Sequence, residues 1–108
     1  MVLLVTENWW PANKSEKIGK AYIEIMKKYP DDKTIEKPLV RSALWTEKEA
    51  MHSITVSSIK PGKVKEAMDL ATNRLLMLAK EVDDYRYNIR IAYDLVEAMP
   101  LIGLVAPE

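Results

Sequence analysis

The first part of the chain shows one short apolar run followed by one helical repeat. Val2 to Trp10 carries apolar residues on both of its faces, which is typical of a central β-strand. Pro11 ends this strand, and Asn13 or Ser15 supplies a side-chain oxygen for the start of a helix. Apolar residues then recur at spacings of three and four, which predicts an amphipathic helix: Ile18, Ala21, Tyr22, Ile25, Met26 and Tyr29.

Two alternating segments in the middle of the chain predict a β-hairpin. The first segment, Leu39 to Thr46, has Pro38 at its start, which suits an edge strand. The second segment, Met51 to Ile59, follows a charged connection and alternates with a period of two. Its polar residues share one face and its apolar residues the other: Ser53, Thr55 and Ser57 against Ile54 and Val56.

The last part of the chain predicts a long helix and a fourth strand. Lys60-Pro61-Gly62-Lys63 ends the hairpin, and an apolar stripe then runs from Val64 to Tyr85 at helical spacing. From Tyr87 to Leu95 apolar and polar residues alternate, which predicts a strand with one dry and one wet face.

This order of elements predicts an α+β fold, the ferredoxin-like βαββαβ plait, as a single domain over residues 1–108. Right-handed crossovers place both helices on one face of a four-stranded antiparallel sheet, which leaves the other face uncovered. Residues 97–108 form an apolar C-terminal tail. Its Leu101, Ile102, Leu104 and Val105 either contact a partner subunit or pack back across their own.

Composition and charge exclude several classes of function. Sixteen basic and sixteen acidic residues leave no net charge, which disfavours a nucleic-acid partner. There is no cysteine and one histidine, so we expect no bound metal, and the three scattered glycines form no phosphate-binding loop. No apolar stretch is long enough to cross a membrane. We therefore expect a cytoplasmic protein without a cofactor.

The polar residues expected on the uncovered face are the candidates for a ligand site. Because either face of the first strand could be the uncovered one, either Glu7 or Asn8 contributes. The remaining candidates come from the other three strands: Arg41, Trp45, Ser53, Thr55, Ser57, Asn88, Arg90 and Asp94. Buried polar groups must be paired or hydrated. Arg90, Asp94 and Arg41 therefore form either a salt-bridged dimer seam or part of a ligand pocket.

His52 is the single imidazole and, with Arg90 and Asp94, a candidate catalytic residue. It precedes Ile54 and Val56 and is expected on the helix-covered side, either as a structural residue or as a general base or axial ligand. Because phenylalanine is absent, the three tryptophans must supply much of the aromatic packing. Either at least one of them lines a pocket, or Trp9 and Trp10 fill the core and the dimer edge at the end of the first strand.

The order of elements, the Trp-Pro and Lys-Pro-Gly-Lys turns before the two helices, and the apolar tail resemble the dimeric α/β-barrel superfamily. The resemblance implies that two ferredoxin-like subunits join their uncovered sheet faces and enclose a cavity. Members include cofactor-free monooxygenases, haem-degrading enzymes, isomerases and binding proteins. Asn8, Trp9, Trp10 and His52 invite comparison with the haem-degrading members. Those enzymes supply their histidine from a helix, whereas His52 is predicted in a strand.

Three functions remain open at this point. The first is a homo-oligomer that binds a small organic ligand in a cleft between the uncovered sheet face and its partner, with Asn8, Arg41, Trp45, Ser53, Thr55 and Arg90 as ligand-binding residues. The second is a cofactor-independent monooxygenase or isomerase of an aromatic or quinone-like compound. The third is a structural or regulatory assembly domain. The shape of the space between the paired sheets distinguishes the third from the first two.

Overall fold

A computed structural model describes residues 1–107 of the chain. In chain order, the elements are strand β1 (Val2–Pro11), helix α1 (Ser15–Lys28), strands β2 (Glu36–Glu47) and β3 (Ala50–Ile59), helix α2 (Val64–Glu81), strand β4 (Arg86–Tyr93) and the short helix α3 (Leu95–Ala98). Turns of 3-10 helix at Ala12–Lys14 and Met99–Ile102 precede α1 and follow α3.

The four strands form one antiparallel sheet in the order β2-β3-β1-β4. This is the strand order of the ferredoxin-like plait, so the predicted fold is confirmed. The apolar strand β1 lies in the middle, paired along its length with β3 and β4, because it has side chains to bury on both faces. The polar and proline-bearing β2 lies at an edge, as Pro38 predicts.

Both helices pack on the same face of the sheet. Trp10 of β1 lies in one core cluster with residues of α1 and α2, and Leu4 lies in a second cluster with Ala67 and Ala71 of α2. Side chains alternate along a strand, so the even-numbered residues of β1 face the helices. Ser15 does not cap α1 as predicted: its hydroxyl accepts a hydrogen bond from the Trp10 indole at 3.0 Å instead.

The opposite side of the sheet, here called the open face, carries the odd-numbered residues of β1 and the residues directly beside them. Neither α1 nor α2 packs on it. Directly paired residues share a face. The pairing register therefore assigns these side chains to the open face: Leu3, Val5, Glu7 and Trp9 of β1, His52, Ile54 and Val56 of β3, Ala43 and Trp45 of β2, and Asn88 and Arg90 of β4.

The predicted orientation of β3 is wrong. Ser53 lies opposite Asn8 and Thr55 opposite Thr6, so the polar stripe of β3, which includes Ser57, faces the helices. His52, by contrast, lies on the open face, not on the helix-covered side. The alternation defines two faces but not which of them the helices cover. That choice follows from the register with β1.

The expected alternation in β2 is interrupted by register shifts between Pro38 and Val40 and between Val40 and Ala43. Irregularities of this kind redirect side chains. As a result, the Arg41 guanidinium turns to the loop after α1, where it contacts the Asp31 carboxylate at 2.8 Å. The prediction that Arg41 joins Trp45 on the open face is therefore wrong.

The fourth strand ends two residues earlier than predicted, at Tyr93. The Asp94 carboxylate caps α3 by accepting a hydrogen bond from the Glu97 backbone amide at 2.9 Å, and it lies 3.5 Å from the amino group of Met1. Asp94 is thus a helix-capping residue and does not pair with Arg90 as predicted. The segment after α3 exposes apolar side chains, with Leu101 74% and Val105 90% exposed.

None of the helices within residues 1–107 combines the length and the apolar character that crossing a membrane requires.

Candidate functional site

Three aromatic rings form a stack at one end of the open face. The His52 ring lies between two indoles, parallel to Trp9 with centroids 4.5 Å apart and tilted against Trp45 at 4.2 Å. Trp45 and His52 are directly opposite each other on β2 and β3, and Trp9 is opposite His52 on β1. The sheet register therefore builds the stack, and the two indoles contribute to leaving His52 only 7% exposed.

Two carboxylates bind the edges of the His52 ring. Nδ1 lies 3.0 Å from Glu47 Oε1, and Nε2 lies 3.1 Å from Glu7 Oε2. A neutral imidazole has one N–H, whereas an imidazolium has two. Both ring nitrogens lie within hydrogen-bond distance of a carboxylate oxygen, so both edges of the ring are engaged.

Each carboxylate of this cluster also has a second partner. Glu7 also pairs with the Arg90 guanidinium through its other oxygen, and Glu47 accepts a hydrogen bond from the Trp45 indole at 2.9 Å. The indole hydrogen bond, followed by that of His52, lowers the pKa of the Glu47 carboxyl below its ordinary value of 4.5.

This geometry disfavours His52 as a catalytic residue. A general base or an axial ligand needs a free nitrogen lone pair directed at its substrate or metal. Both nitrogens of His52 are engaged, and the ring is covered on two sides by Trp9 and Trp45. Among the residues that the structure describes, no group of three acidic, histidine or cysteine side chains is arranged to hold a metal ion. The cluster is better suited to form a rigid aromatic wall with a polar rim.

The sequence predictions missed Glu47 and left Glu7 as one of two options. A usable signal was present in the hairpin. Lys48 and Glu49 form a two-residue loop, with Lys48 at a left-handed φ of 54°. Counting back from such a loop places Trp45 opposite His52, with the Glu47 side chain next to the imidazole.

The structure divides the predicted ligand-binding residues between two places. Trp45 lies on the open face against His52, and Arg90 lies on the same face, linked to His52 through Glu7. Asn8, Thr55 and Arg41 line a cavity between the sheet and the helices. Ser53 is buried on the helix side, with its hydroxyl 2.9 Å from that of Ser42.

Comparisons with known structures agree with the strand order. A de novo designed protein, Foldit4, superposes with a TM-score of 0.57 at 10% identity, over 86% of this chain and 97% of the design. The chain has the ferredoxin-like fold. A conserved protein from Methanosarcina mazei Go1 gives a TM-score of 0.51 at 10% identity, over 85% of this chain and 91% of that chain. At such low identity these likenesses show the fold alone. No family model matches the chain, and no curated protein matches it significantly.

Proposed function

We propose that this protein forms a homodimer through the open face and binds a small organic ligand in the cleft between the two sheets. The observation that carries the proposal is the apolar character of the middle of that face. Val5 and Val56 lie side by side there, flanked by Leu3 and Ile54. A sheet face with an apolar centre and a charged rim resembles the anatomy of a protein interface.

The size of the open face is adequate for self-association. Strands of about ten residues, at roughly 3.3 Å per residue and 4.8 Å between strands, give a sheet of roughly 600 Å² in projection. A stable interface typically buries about 800 Å² of accessible surface on each partner. Since accessible area exceeds projected area, two such faces joined around a twofold axis meet this requirement.

The ligand chemistry follows from the aromatic cluster at the end of the face. Trp9 and Trp45 offer partly exposed ring surface, and His52 fixes both indoles in place. The Arg90 guanidinium, with a side chain 60% exposed, contacts Glu7 on the same face and supplies a donor there. A planar aromatic compound with an acceptor oxygen fits this combination, because it stacks on indole and accepts from guanidinium.

Sedimentation velocity at micromolar concentration tests the dimer. We expect the wild-type protein to sediment as a dimer and Val56→Glu as a folded monomer, because a carboxylate in the apolar centre stays uncompensated when the faces meet. The matched control is Ile23→Glu on the exposed side of α1, where Ile23 is 57% exposed, and this variant stays dimeric. A monomeric wild-type protein contradicts the proposal.

Quenching of tryptophan fluorescence tests the ligand cleft, with naphthoquinone as the probe. We expect saturable quenching that Trp45→Ala and Arg90→Ala weaken, and that Lys20→Ala, an exposed cation on α1 away from the open face, leaves unchanged. If the dimer forms but quenching does not saturate, the paired sheets leave no room for a ligand. The second candidate function, an assembly domain, then replaces ligand binding.

A further inference from the structure

The cavity between the sheet and the two helices lies within one subunit and has a volume of about 110 Å³. Its walls are mostly apolar, with Leu4 from the sheet, Ile25 from α1, and Leu75 and Leu78 from α2. A water molecule occupies about 30 Å³ of liquid, so this space holds several waters or a small organic molecule. The cavity is separate from the open face, which lies on the other side of the sheet.

Two buried acceptor atoms in the cavity lining have no partner. Within residues 1–107, neither Glu36 Oε2 nor Asn8 Oδ1 has a hydrogen-bond partner. Glu36 is the stronger case, because its residue is only 8% exposed and a carboxylate is costly to bury without a donor. The Asn8 amide group already donates to the Tyr85 hydroxyl at 2.7 Å, which fixes its orientation.

The two unpartnered atoms lie near opposite ends of the cavity. Asn8 is paired with Ser53 and Glu36 with Ile59, six residues further along β3, which corresponds to roughly 20 Å of strand. One small polar group therefore cannot reach both. The Glu36 end is the more strongly polar of the two, since the charges of Asp31 and Arg74, which also line the cavity, act on Glu36.

The local charges indicate which chemical group fits at Glu36. Asp31 contacts both nearby guanidiniums, that of Arg41 at 2.8 Å and that of Arg74 at 3.4 Å. Arg74 also donates to the Tyr29 carbonyl at 2.9 Å. Both arginines are thus held by other acceptors, whereas Glu36 Oε2 is left without a donor. When Glu36 is ionised, the group missing at Oε2 is a hydrogen-bond donor, and the best donor for a carboxylate is a cation.

We propose that this cavity binds a small primary amine with an apolar chain. The ammonium group donates to Glu36 Oε2, and the alkyl chain extends along Leu4, Ile25 and Leu75. Thr6 and Thr55, whose hydroxyls bond to each other, line the cavity between the positions of Glu36 and Asn8. The site lies within one subunit, so it does not depend on the dimer proposed above.

A proton accompanies this binding. Burial raises the pKa of the Glu36 carboxyl above its ordinary value of 4.5, against the opposing effect of Arg74. In the empty cavity, the neutral form of Glu36 is therefore favoured more than it would be in water. A bound ammonium ion instead favours the ionised form of Glu36. Near the pKa of the empty site, binding of the amine releases a proton from Glu36, which makes the calorimetric enthalpy depend on the ionisation enthalpy of the buffer.

Isothermal titration calorimetry with hexylamine and hexanol tests the proposal. The two probes share the same six-carbon alkyl group, but hexylamine carries a charged ammonium donor and hexanol a neutral hydroxyl. We expect hexylamine to bind more tightly than hexanol, and Glu36→Gln to weaken hexylamine by about tenfold or more, as loss of a charged hydrogen bond predicts. Glu66→Gln, at an exposed position of α2, is the matched control and retains wild-type affinity.

Methyl NMR spectra locate the bound probe and keep the test independent of the open face. Shifts at Ile25 and Leu75 without shifts at Ile54 and Val56 support the interior site. Shifts confined to Ile54 and Val56, equal affinities for both probes, or no binding to the folded protein overturn it. If Glu36→Gln does not fold, Glu36→Asp retains the charge but withdraws it from the ligand, and its affinity for hexylamine must fall.

Discussion

Trp9 and His52 stack face to face across two neighbouring strands, with centroids 4.5 Å apart and planes 19° from parallel. The single histidine of the chain therefore lies on the open face, in a cluster that also contains Glu7, Glu47 and Arg90. Both ring nitrogens of His52 are engaged by carboxylates, whereas the indole of Trp45 remains accessible to a ligand. It therefore fits a binding surface better than a catalytic centre.

The indole of Trp45 holds the pKa of Glu47 down, so its removal must raise that pKa. In Trp45→Phe the hydrogen bond at 2.9 Å is lost while the aromatic surface is kept, and we expect the pKa of Glu47 to move towards 4.5. Carboxyl carbon chemical shifts in an NMR pH titration measure it. Trp9→Phe, which removes no hydrogen bond to Glu47, serves as the control. An equal change in the pKa of Glu47 in both variants contradicts the role given to the Trp45 indole.

The hydroxyls of Thr6 and Thr55 bond to each other on the helix side of β1 and β3. Thr55→Val leaves the Thr6 hydroxyl buried without this partner, and we expect a loss of about 1–3 kcal/mol in the free energy of unfolding. The double substitution to valine costs less than the two single ones together, because neither hydroxyl then remains. Urea unfolding of the four proteins in the cycle measures the coupling. Additive effects contradict a direct bond.

Glu36 makes stability depend on pH in a defined direction. Burial raises its pKa in the folded state above 4.5, so between the unfolded and folded pKa values the native protein holds a proton that the unfolded chain has lost. Its contribution to stability is therefore most favourable below the unfolded pKa and decreases as pH rises through the folded pKa.

Glu36→Gln removes this titration. We expect the unfolding free energy of the variant, measured relative to wild type in urea, to increase as pH rises from about 4.5 through the folded pKa of Glu36. Asp32→Asn is not a suitable control, since the Asp32 carboxylate accepts hydrogen bonds from Thr34. Glu66→Gln is a suitable control, and its unfolding free energy relative to wild type stays constant over the same pH range. A variant that loses stability relative to wild type as pH rises contradicts the cause given for the shift.

Two glycines respond to alanine with opposite sign. Gly19 lies inside α1 with nothing within 4 Å of an added Cβ, so Gly19→Ala stabilises the protein by up to about 1 kcal/mol. Gly62 adopts a φ of +76° before α2, where an L side chain is strained, and Gly62→Ala destabilises it by about 1 kcal/mol. Thermal unfolding of the two variants measures both effects. The same sign at both positions contradicts the backbone argument.

The sequence by itself determined the order and type of the six main elements, because apolar periodicity records whether a segment buries a helical stripe or a strand face. It also determined that β1 is central and β2 peripheral. The ferredoxin-like fold follows from that order together with right-handed crossovers.

Only the tertiary structure decided which faces meet. In β3 the alternation of Ser53, Thr55 and Ser57 with Ile54 and Val56 is equally regular in both directions, and the pairing with β1 turned the polar stripe inward. In β2 the register shifts carried Arg41 away from Trp45. Side chains far apart in sequence, such as Glu7 and His52, come together through strand register, which depends on pairing energies summed over the whole sheet and not on any local pattern.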